Sequence, residues 1–134
     1  MSPDNRQANI EEELRQCDEA MRAAEALRGL DLLRDAASRL YYAAYHAARA
    51  ILLSKELEPT THQGVLSMLG LNFIKPGLLP AGLSQTFRRL QAFRESADYT
   101  LGFIVTAEEL DNDIFAARDF VAHVPRYLAA GTRA

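Results

Sequence analysis

A row of polar side chains able to bind phosphate and to move a proton lies in the second quarter of the chain. Its members are Asp35, Arg39, Tyr42, His46 and Arg49, spaced four, three, four and three positions apart. On a helix that turns about 100° per residue, this spacing places all of them on one narrow face. A guanidinium, a phenol and an imidazole suit contacts to phosphates and bases. The same spacing is also typical of a solvent-exposed helix edge, on which Asp35 and Arg39 form a surface ion pair.

A second group, with the sequence RESADY, occupies residues 94–99. Arg94 and Asp98 lie four positions apart, and on their own they predict a local ion pair on a helix. The apolar segment 100–105 follows, which puts the charged group at an end of a helical bundle. Because clefts form at such ends, the same residues also indicate a binding site.

A third group lies near the end of the chain. Arg118 and His123 are five positions apart, so they diverge by about 140° on a continuous helix and are not expected to cooperate. Asp119, His123 and Arg126 lie opposite an apolar stripe and are predicted to face water. The three histidines fall on separate elements without a cysteine pair, and no phosphate loop or dinucleotide motif is present. We therefore expect neither a metal site nor a cofactor.

Composition narrows the class of protein. The 134 residues are expected to form one domain, 1–134, with 49% apolar and 25% charged residues, an ordinary globular balance. A net charge of −3 excludes a global positive field for nucleic acid, so any such contact must be a local patch. The basic residues are mostly arginine, which suits bidentate phosphate contacts, although a GC-rich genome produces the same bias.

The compartment follows from what the sequence lacks. One cysteine, Cys17, cannot form an internal disulfide, and its place on an apolar stripe predicts a buried thiol. The polar, acidic start of the chain does not fit a signal peptide, and the longest apolar stretch, 40–53, is too short to span a bilayer. We expect a cytoplasmic protein without a membrane partner.

Apolar residues recur at helical spacing through the chain, and no strand alternation is longer than a few residues. This predicts an all-α, up-and-down bundle of four to five helices. The capping pattern Thr106 to Glu109 opens the last helix. Gly29 is predicted to end helix 1, and Asp31 and Ser84 to cap helices 2 and 4. The predicted helices are 4 or 9 to 28, 31–56, 61 or 62 to 75, 85–99, and one beginning at about 107.

Helix 2 carries two adjacent apolar stripes, so it must pack on several sides. The first stripe includes Leu40, Ala44 and Ile51, and the second begins with Tyr41 and Tyr45. We predict that helix 2 is the central helix of the bundle, with Leu40, Ala44 and Ile51 almost fully buried.

Three segments carry a resemblance to a known family: DAASRLYYAAYHAARAILL, TTHQGVLSML and FRRLQAFRESADY. Together with the apolar last helix they resemble the HEPN domain (higher eukaryotes and prokaryotes nucleotide-binding) over residues 20–128. The likeness is greatest to small stand-alone prokaryotic HEPN proteins, which are often encoded beside a minimal nucleotidyltransferase. It implies a helical bundle that forms a homodimer with a shared cleft, and aromatic residues such as Phe93, Tyr99 and Phe103 fit such an interface.

Many HEPN proteins are ribonucleases whose motif is an arginine, a polar residue, and a histidine four to six positions beyond the arginine. The resemblance assigns the arginine to Arg94 and the polar residue to Glu95. The histidine position falls on Tyr99, or on Asp98 in a shorter register. Because imidazole is the group that moves protons near neutral pH, His46 or Tyr99 would have to take its place.

Two functions follow from the resemblance. The first is a module that binds RNA or a nucleotide, or docks the nucleotidyltransferase of a two-gene system, and the absent histidine favours it. The second is a metal-independent endoribonuclease toxin of a toxin–antitoxin pair. In both, we expect the two polar groups to face one cleft, within a subunit or across a dimer. Its predicted catalytic residues are Arg94, Tyr99 and His46, and its predicted ligand-binding residues are Arg39, Tyr42, Glu95 and Asp98.

Overall fold

The computed structural model describes residues 2–131, which form an up-and-down bundle of five α-helices. No strand occurs within these residues, and the all-α prediction is confirmed. A short π-helical turn, Gly70–Ile74, continues the third helix. The helices are α1 Pro3–Gly29, α2 Leu33–Leu53, α3 His62–Leu69, α4 Gly82–Tyr99 and α5 Ala107–Gly131.

Helix α2 lies at the centre of the bundle and packs against α1, α3, α4 and α5. Leu40, Ala44 and Ile51 are completely buried, as its two apolar stripes predict. Alanine has no side chain beyond Cβ, so the neighbouring helices approach the α2 backbone closely. Seven buried alanines of α2 serve this packing: Ala36, Ala37, Ala43, Ala44, Ala47, Ala48 and Ala50.

Helix α1 is amphipathic and covers one side of α2. Its apolar stripe includes Ile10, Cys17 and Ala24, all buried, while the opposite face is polar. Burial raises the pKa of the Cys17 thiol to about 12, so this thiol stays protonated and inert. Neither α1 nor any other helix among residues 2–131 has the length and apolar content to cross a membrane.

Three helices begin with side-chain caps. The Ser2 hydroxyl accepts a hydrogen bond from the Asn5 amide of α1 at 3.2 Å. Thr61 does the same for the Gly64 amide of α3, at 2.9 Å. At the start of α5, Thr106 Oγ1 accepts from the Glu109 amide at 3.2 Å, so the predicted N-cap is confirmed, and it donates to Glu109 Oε1 at 2.8 Å, so Glu109 reaches back to the Thr106 hydroxyl.

The α1–α2 turn differs from its prediction. Helix α1 continues through Gly29, and Leu30 caps it. The left-handed residue that reverses the chain is Asp31, with φ 60°, so Asp31 is not the N-cap of α2. The Leu32 amide donates to the Leu27 carbonyl at 2.9 Å, which closes the turn, and α2 begins at Leu33 instead of at residue 31.

Two further helix ends were predicted wrongly. Helix α4 begins at Gly82, with the Ala81 carbonyl accepting from the Ser84 amide at 3.3 Å, so Ser84 lies inside the first turn instead of capping it. Helix α2 ends at Leu53, and residues 54–56 form a turn that closes with Glu56 in the left-handed region, at φ 59°. The chain has to reverse there to bring α3 back against α2.

Candidate functional site

Arg94 is the centre of the candidate site, because it is a cation at a position built for an apolar side chain. It belongs to the buried stripe of α4, which consists of Leu83, Phe87, Leu90, Arg94 and Ala97. Only 9% of Arg94 is exposed. A charge in the buried stripe of an amphipathic helix is rare unless it has a partner or a ligand.

The guanidinium of Arg94 lies among three phenol rings. Its Cζ is 5.0 Å from the ring centroid of Tyr41, 5.6 Å from that of Tyr42 and 5.9 Å from that of Tyr99. The faces of these rings attract the positive charge. Its carboxylate partner is Asp98, at 3.5 Å, so the local ion pair expected from the sequence is present.

One donor of this guanidinium remains unused. Arg94 Nε is buried, and it has no hydrogen-bond partner among residues 2–131. A buried N–H without an acceptor costs about 1–3 kcal/mol, so most such groups in proteins are paired. A phosphate oxygen is an acceptor of the kind that this donor lacks.

Tyr42 brings the two predicted polar groups together. Arg39 Cζ lies 4.9 Å from the Tyr42 ring centroid, and Arg94 approaches the same ring at 5.6 Å. Arg39 is exposed, while Tyr42 is half-buried. The two arginines and the phenol thus form one polar surface that runs from α2 to α4.

His46 faces a different neighbour, the carboxylate of Glu13 on α1. His46 Nδ1 lies 2.7 Å from Glu13 Oε2, and Arg49 Nε donates to Glu13 Oε1 at 3.0 Å. Burial raises the pKa of Glu13, but the hydrogen bonds from His46 and Arg49 outweigh burial and hold it below its usual range. The contacts of His46 are with Glu13 and the Tyr45 ring, and none is with Arg94.

His46 also lines a groove of about 350 Å³ between α1 and α2. Arg39 and Tyr42 line the same groove, together with Glu19 of α1. His46 therefore shares a surface with Arg39 and Tyr42, and its part in proton transfer stays a prediction.

A second histidine, His62, contacts the same phenol as Arg94, namely Tyr41, and the sequence reasoning did not select it. It is the first residue of α3, where its Nδ1 lies 2.6 Å from the Tyr41 hydroxyl oxygen. Its ring stacks on Tyr45 at 4.6 Å between centroids. Burial and the positive charge of Arg94 lower the pKa of His62, against a smaller opposite effect of Glu95.

A signal for His62 does exist in the sequence. Thr61 is an N-cap residue, so His62 starts the helix, three positions before Val65 and seven before Leu69. This spacing puts His62 on the same stripe as Val65 and Leu69, which are buried. A histidine on the buried stripe of a helix must face its neighbour, here α2.

Glu95 and Tyr99 form the outer edge of the site. Tyr99 is 76% exposed, and Glu95 is exposed and accepts a hydrogen bond from Gln91 Nε2 at 3.5 Å. Both line an open hollow at the end of α4, beside Arg94. The end of α4 is itself anchored to α2, because Arg34 donates to the carbonyls of Ala97 and Phe103.

The third polar group stays apart from this site. Arg118 forms hydrogen bonds to Glu25 of α1 at 2.9 and 2.7 Å, while His123 pairs along α5 with Asp119 at 3.7 Å. The two side chains therefore have separate partners, as their spacing predicts. No group of three candidate metal ligands occurs within residues 2–131.

Comparison with known proteins gives a consistent set of relatives. A family model described as the HEPN domain matches residues 10–127. The chain is 37% identical over 111 residues to "Putative toxin MJ0605" of Methanocaldococcus jannaschii, covering 83% of this chain and 82% of that protein. It is 29% identical to "Putative toxin MJ0142" of the same organism, covering 89% and 81%. A UPF0332 protein of Thermotoga maritima is 33% identical, with 71% and 70% covered.

Proposed function

The chain belongs to the HEPN domain family, and on this premise we propose that it binds RNA or a nucleotide through a phosphate held at Arg94. The observation that carries the proposal is the Arg94 side chain, which lines an open hollow and whose buried Nε lacks a partner within residues 2–131. A bound phosphate would accept from this donor and would compete with Asp98 for the positive charge.

The rings around Arg94 suit the rest of such a ligand. Tyr99 is exposed and Tyr42 is half-buried, so both offer ring surface on which a base can stack. Arg39 also contacts the Tyr42 ring, 4.9 Å from its centroid, and being exposed it can meet a second phosphate. This local cluster of cations supplies the attraction that a chain with a net charge of −3 lacks as a whole.

The proposal extends to the oligomeric state and the partner of the protein. We propose a cytoplasmic homodimer that forms the HEPN component of a two-gene system with a nucleotidyltransferase. The exposed apolar side chains of Leu101 and Ile104, which follow the site, support an interface there. Phe93 and Phe103 pack on each other at 5.8 Å between ring centroids and are only half-buried, so part of both rings remains for a partner.

A binding measurement tests the proposal. Fluorescence anisotropy with a labelled single-stranded RNA, and competition by AMP and ATP, would compare the wild type with Arg94→Ala. We expect the Kd to rise at least about tenfold at low salt, and less at high salt, because screening weakens the lost contact. Arg118→Ala removes the same charge from an arginine of α5 that is paired with Glu25 of α1, and it is the matched control. Equal binding by the wild type and Arg94→Ala, or an equal loss in Arg118→Ala, would contradict the proposal.

A second candidate function is an endoribonuclease toxin that needs no metal ion. The observation that favours it is His62, an imidazole that shares the Tyr41 phenol with Arg94, and relatives that carry the name toxin agree with it. Expression of the wild type without any neighbouring gene should then arrest growth and fragment cellular RNA, and Arg94→Ala should do neither. If the wild type leaves growth and RNA unaffected, this second function is wrong and the binding function remains.

A further inference from the structure

The Tyr41 phenol brings an imidazole and a guanidinium to one place. His62 meets the hydroxyl at the edge of the phenol, 2.6 Å away, and Arg94 lies over the ring face, 5.0 Å from the centroid. Tyr41 is fully buried, so it fixes both groups from below. His62 is only half-buried and is open to a ligand.

We infer that His62 is the group that accepts the proton of the ribose 2′-hydroxyl when RNA bound at Arg94 is cleaved, and that Tyr41 is its positioning residue. The inference rests on the second function proposed above. It assigns the proton-transfer step to a histidine on α3, far in sequence from the arginine that binds the phosphate.

The hydrogen bonds of His62 leave one nitrogen for the substrate. Nδ1 is taken by the Tyr41 hydroxyl, whereas Nε2 has no hydrogen-bond partner within residues 2–131. In the tautomer with Nδ1–H donating to the Tyr41 oxygen, Nε2 carries a lone pair that can accept a proton. This arrangement matches the general design in which one ring nitrogen of a catalytic histidine is oriented by a fixed partner.

The surroundings favour the uncharged, proton-accepting form of the imidazole. Burial and the charge of Arg94 lower the pKa of His62, and Glu95 on α4 opposes them only in part. Burial raises the pKa of the Tyr41 phenol, so Tyr41 keeps its own proton and acts as a hydrogen-bond partner only. The rings of Tyr45 and Tyr42 also lie against His62, at 4.6 and 6.3 Å between centroids.

The proposed cleavage of RNA needs no reactant other than water. The 2′-oxygen forms a bond to phosphorus as its proton passes to His62 Nε2. The bond from phosphorus to the 5′-oxygen breaks, its electron pair stays on that oxygen, and the oxygen takes a proton from water. The products are a 2′,3′-cyclic phosphate and a 5′-hydroxyl, and His62 returns its proton to solvent. Arg94 stabilises the charge that builds up on the phosphoryl oxygens.

The two residues first considered for this role have weaker positions. His46 is oriented by Glu13 toward the groove between α1 and α2, and it makes no contact with Arg94. Tyr99 is next to Arg94, but a phenol is a poor proton acceptor at neutral pH.

The test separates binding from cleavage by using two RNAs. One is an unmodified single-stranded oligonucleotide, and the other is the same sequence with 2′-O-methyl riboses, which binds but has no 2′-hydroxyl. In His62→Asn the amide can still bond to the Tyr41 hydroxyl while Nε2 is removed. We expect its cleavage rate at saturating RNA to fall about 10²–10⁴-fold and its Kd for the methylated RNA to change by less than about twofold.

Further variants separate catalysis from folding. Added imidazole should restore part of the cleavage by His62→Asn, which a purely structural loss would not allow. Tyr41→Phe should slow cleavage and change its pH profile, because the imidazole loses its orienting partner. His123→Asn, on α5 and paired with Asp119, is the histidine control that should cleave as the wild type does.

Each remaining outcome decides against the inference. Full cleavage by His62→Asn, or loss of cleavage in His46→Asn with His62→Asn active, would show that another group takes the proton. If the wild type binds RNA but cleaves none between pH 6 and 9, the inference is wrong while the binding function stands. If the wild type binds no RNA, the proposed function itself fails.

Discussion

Arg94→Met tests whether Arg94 is kept for a ligand or for the fold. The substitution removes three contacts with the rings of Tyr41, Tyr42 and Tyr99, worth about 0.5–1 kcal/mol each. It also removes the partly exposed pair with Asp98, worth about 0.3–0.5 kcal/mol. Against this loss, the buried Nε without a partner disappears, which returns about 1–3 kcal/mol. Methionine fills much of the space that the arginine stem leaves.

Taking the middle of each range, we therefore expect Arg94→Met to lower the free energy of unfolding by about 0.7 kcal/mol, and by about 2.5 kcal/mol at most, while it loses RNA binding. Urea denaturation at 25 °C followed by circular dichroism would measure this, provided that the m-value stays constant. Leu90→Ala, one turn earlier on the same buried stripe, is the comparison and should cost about 2–5 kcal/mol. A loss in Arg94→Met as large as that in Leu90→Ala would mean that Arg94 is a structural residue and would refute the reasoning.

Three other predictions concern stability and assembly. Burial raises the pKa of Asp113, which is 1% exposed, so the folded state binds its proton more tightly than the unfolded state does. The free energy of unfolding therefore falls as pH rises above about 4. Asp113→Asn should raise the urea midpoint more at pH 7 than at pH 4. A larger gain at pH 4 would contradict this. Asp31→Gly should raise the free energy of unfolding by about 0.5 kcal/mol, because φ is 60° there, and a lower value would show that the carboxylate contributes to the turn. Light scattering at micromolar concentration should give twice the chain mass of 14.9 kDa, and Ile104→Glu should halve it; a monomeric wild type would count against the dimer.

The sequence predicts the centre of the bundle well because burial there repeats with the period of a helix. A helix with two adjacent apolar stripes must be covered on more than one side, so it lies at the centre of the bundle. Leu40 and Ile51 are fully buried, as expected. The same logic, applied to single residues, could have found Asp113 and could have shown that Arg94, already selected, is buried. Asp113 lies three positions after Leu110 on the buried stripe of α5, and a carboxylate there is as unusual as the arginine on α4.

Helix ends were harder to predict, because several residues compete to end each helix. Gly29 and Asp31 both tolerate the left-handed conformation, and the chain uses Asp31. The choice depends on where α2 must begin to pack its stripes, which is a tertiary requirement. Ser84 is a good N-cap residue by type, yet the turn at Ala81 starts α4 before it.

The site was predicted in part for a similar reason. Helical spacing shows that Arg39, Tyr42 and His46 share a face, but it does not show which neighbour covers each part of that face. Helix α1 covers His46 with Glu13, and α4 covers the ring of Tyr42 with Arg94. The position of His62 depends on the path by which the eight residues between α2 and α3 return the chain to α2. Local sequence patterns do not predict that path.

Helix α2 is packed against four other helices, and this packing affects how far the side chains of the site must become ordered when a ligand binds. Most of its side chains are buried against these helices, so its amides should exchange with solvent mainly when the bundle opens as a whole. Tyr41 and Tyr42 therefore stand on a frame that does not open locally, and their rings hold the orientation seen by the ligand before it arrives. A ligand that binds against these two rings loses little free energy to ordering them, so more of the free energy of each contact contributes to affinity.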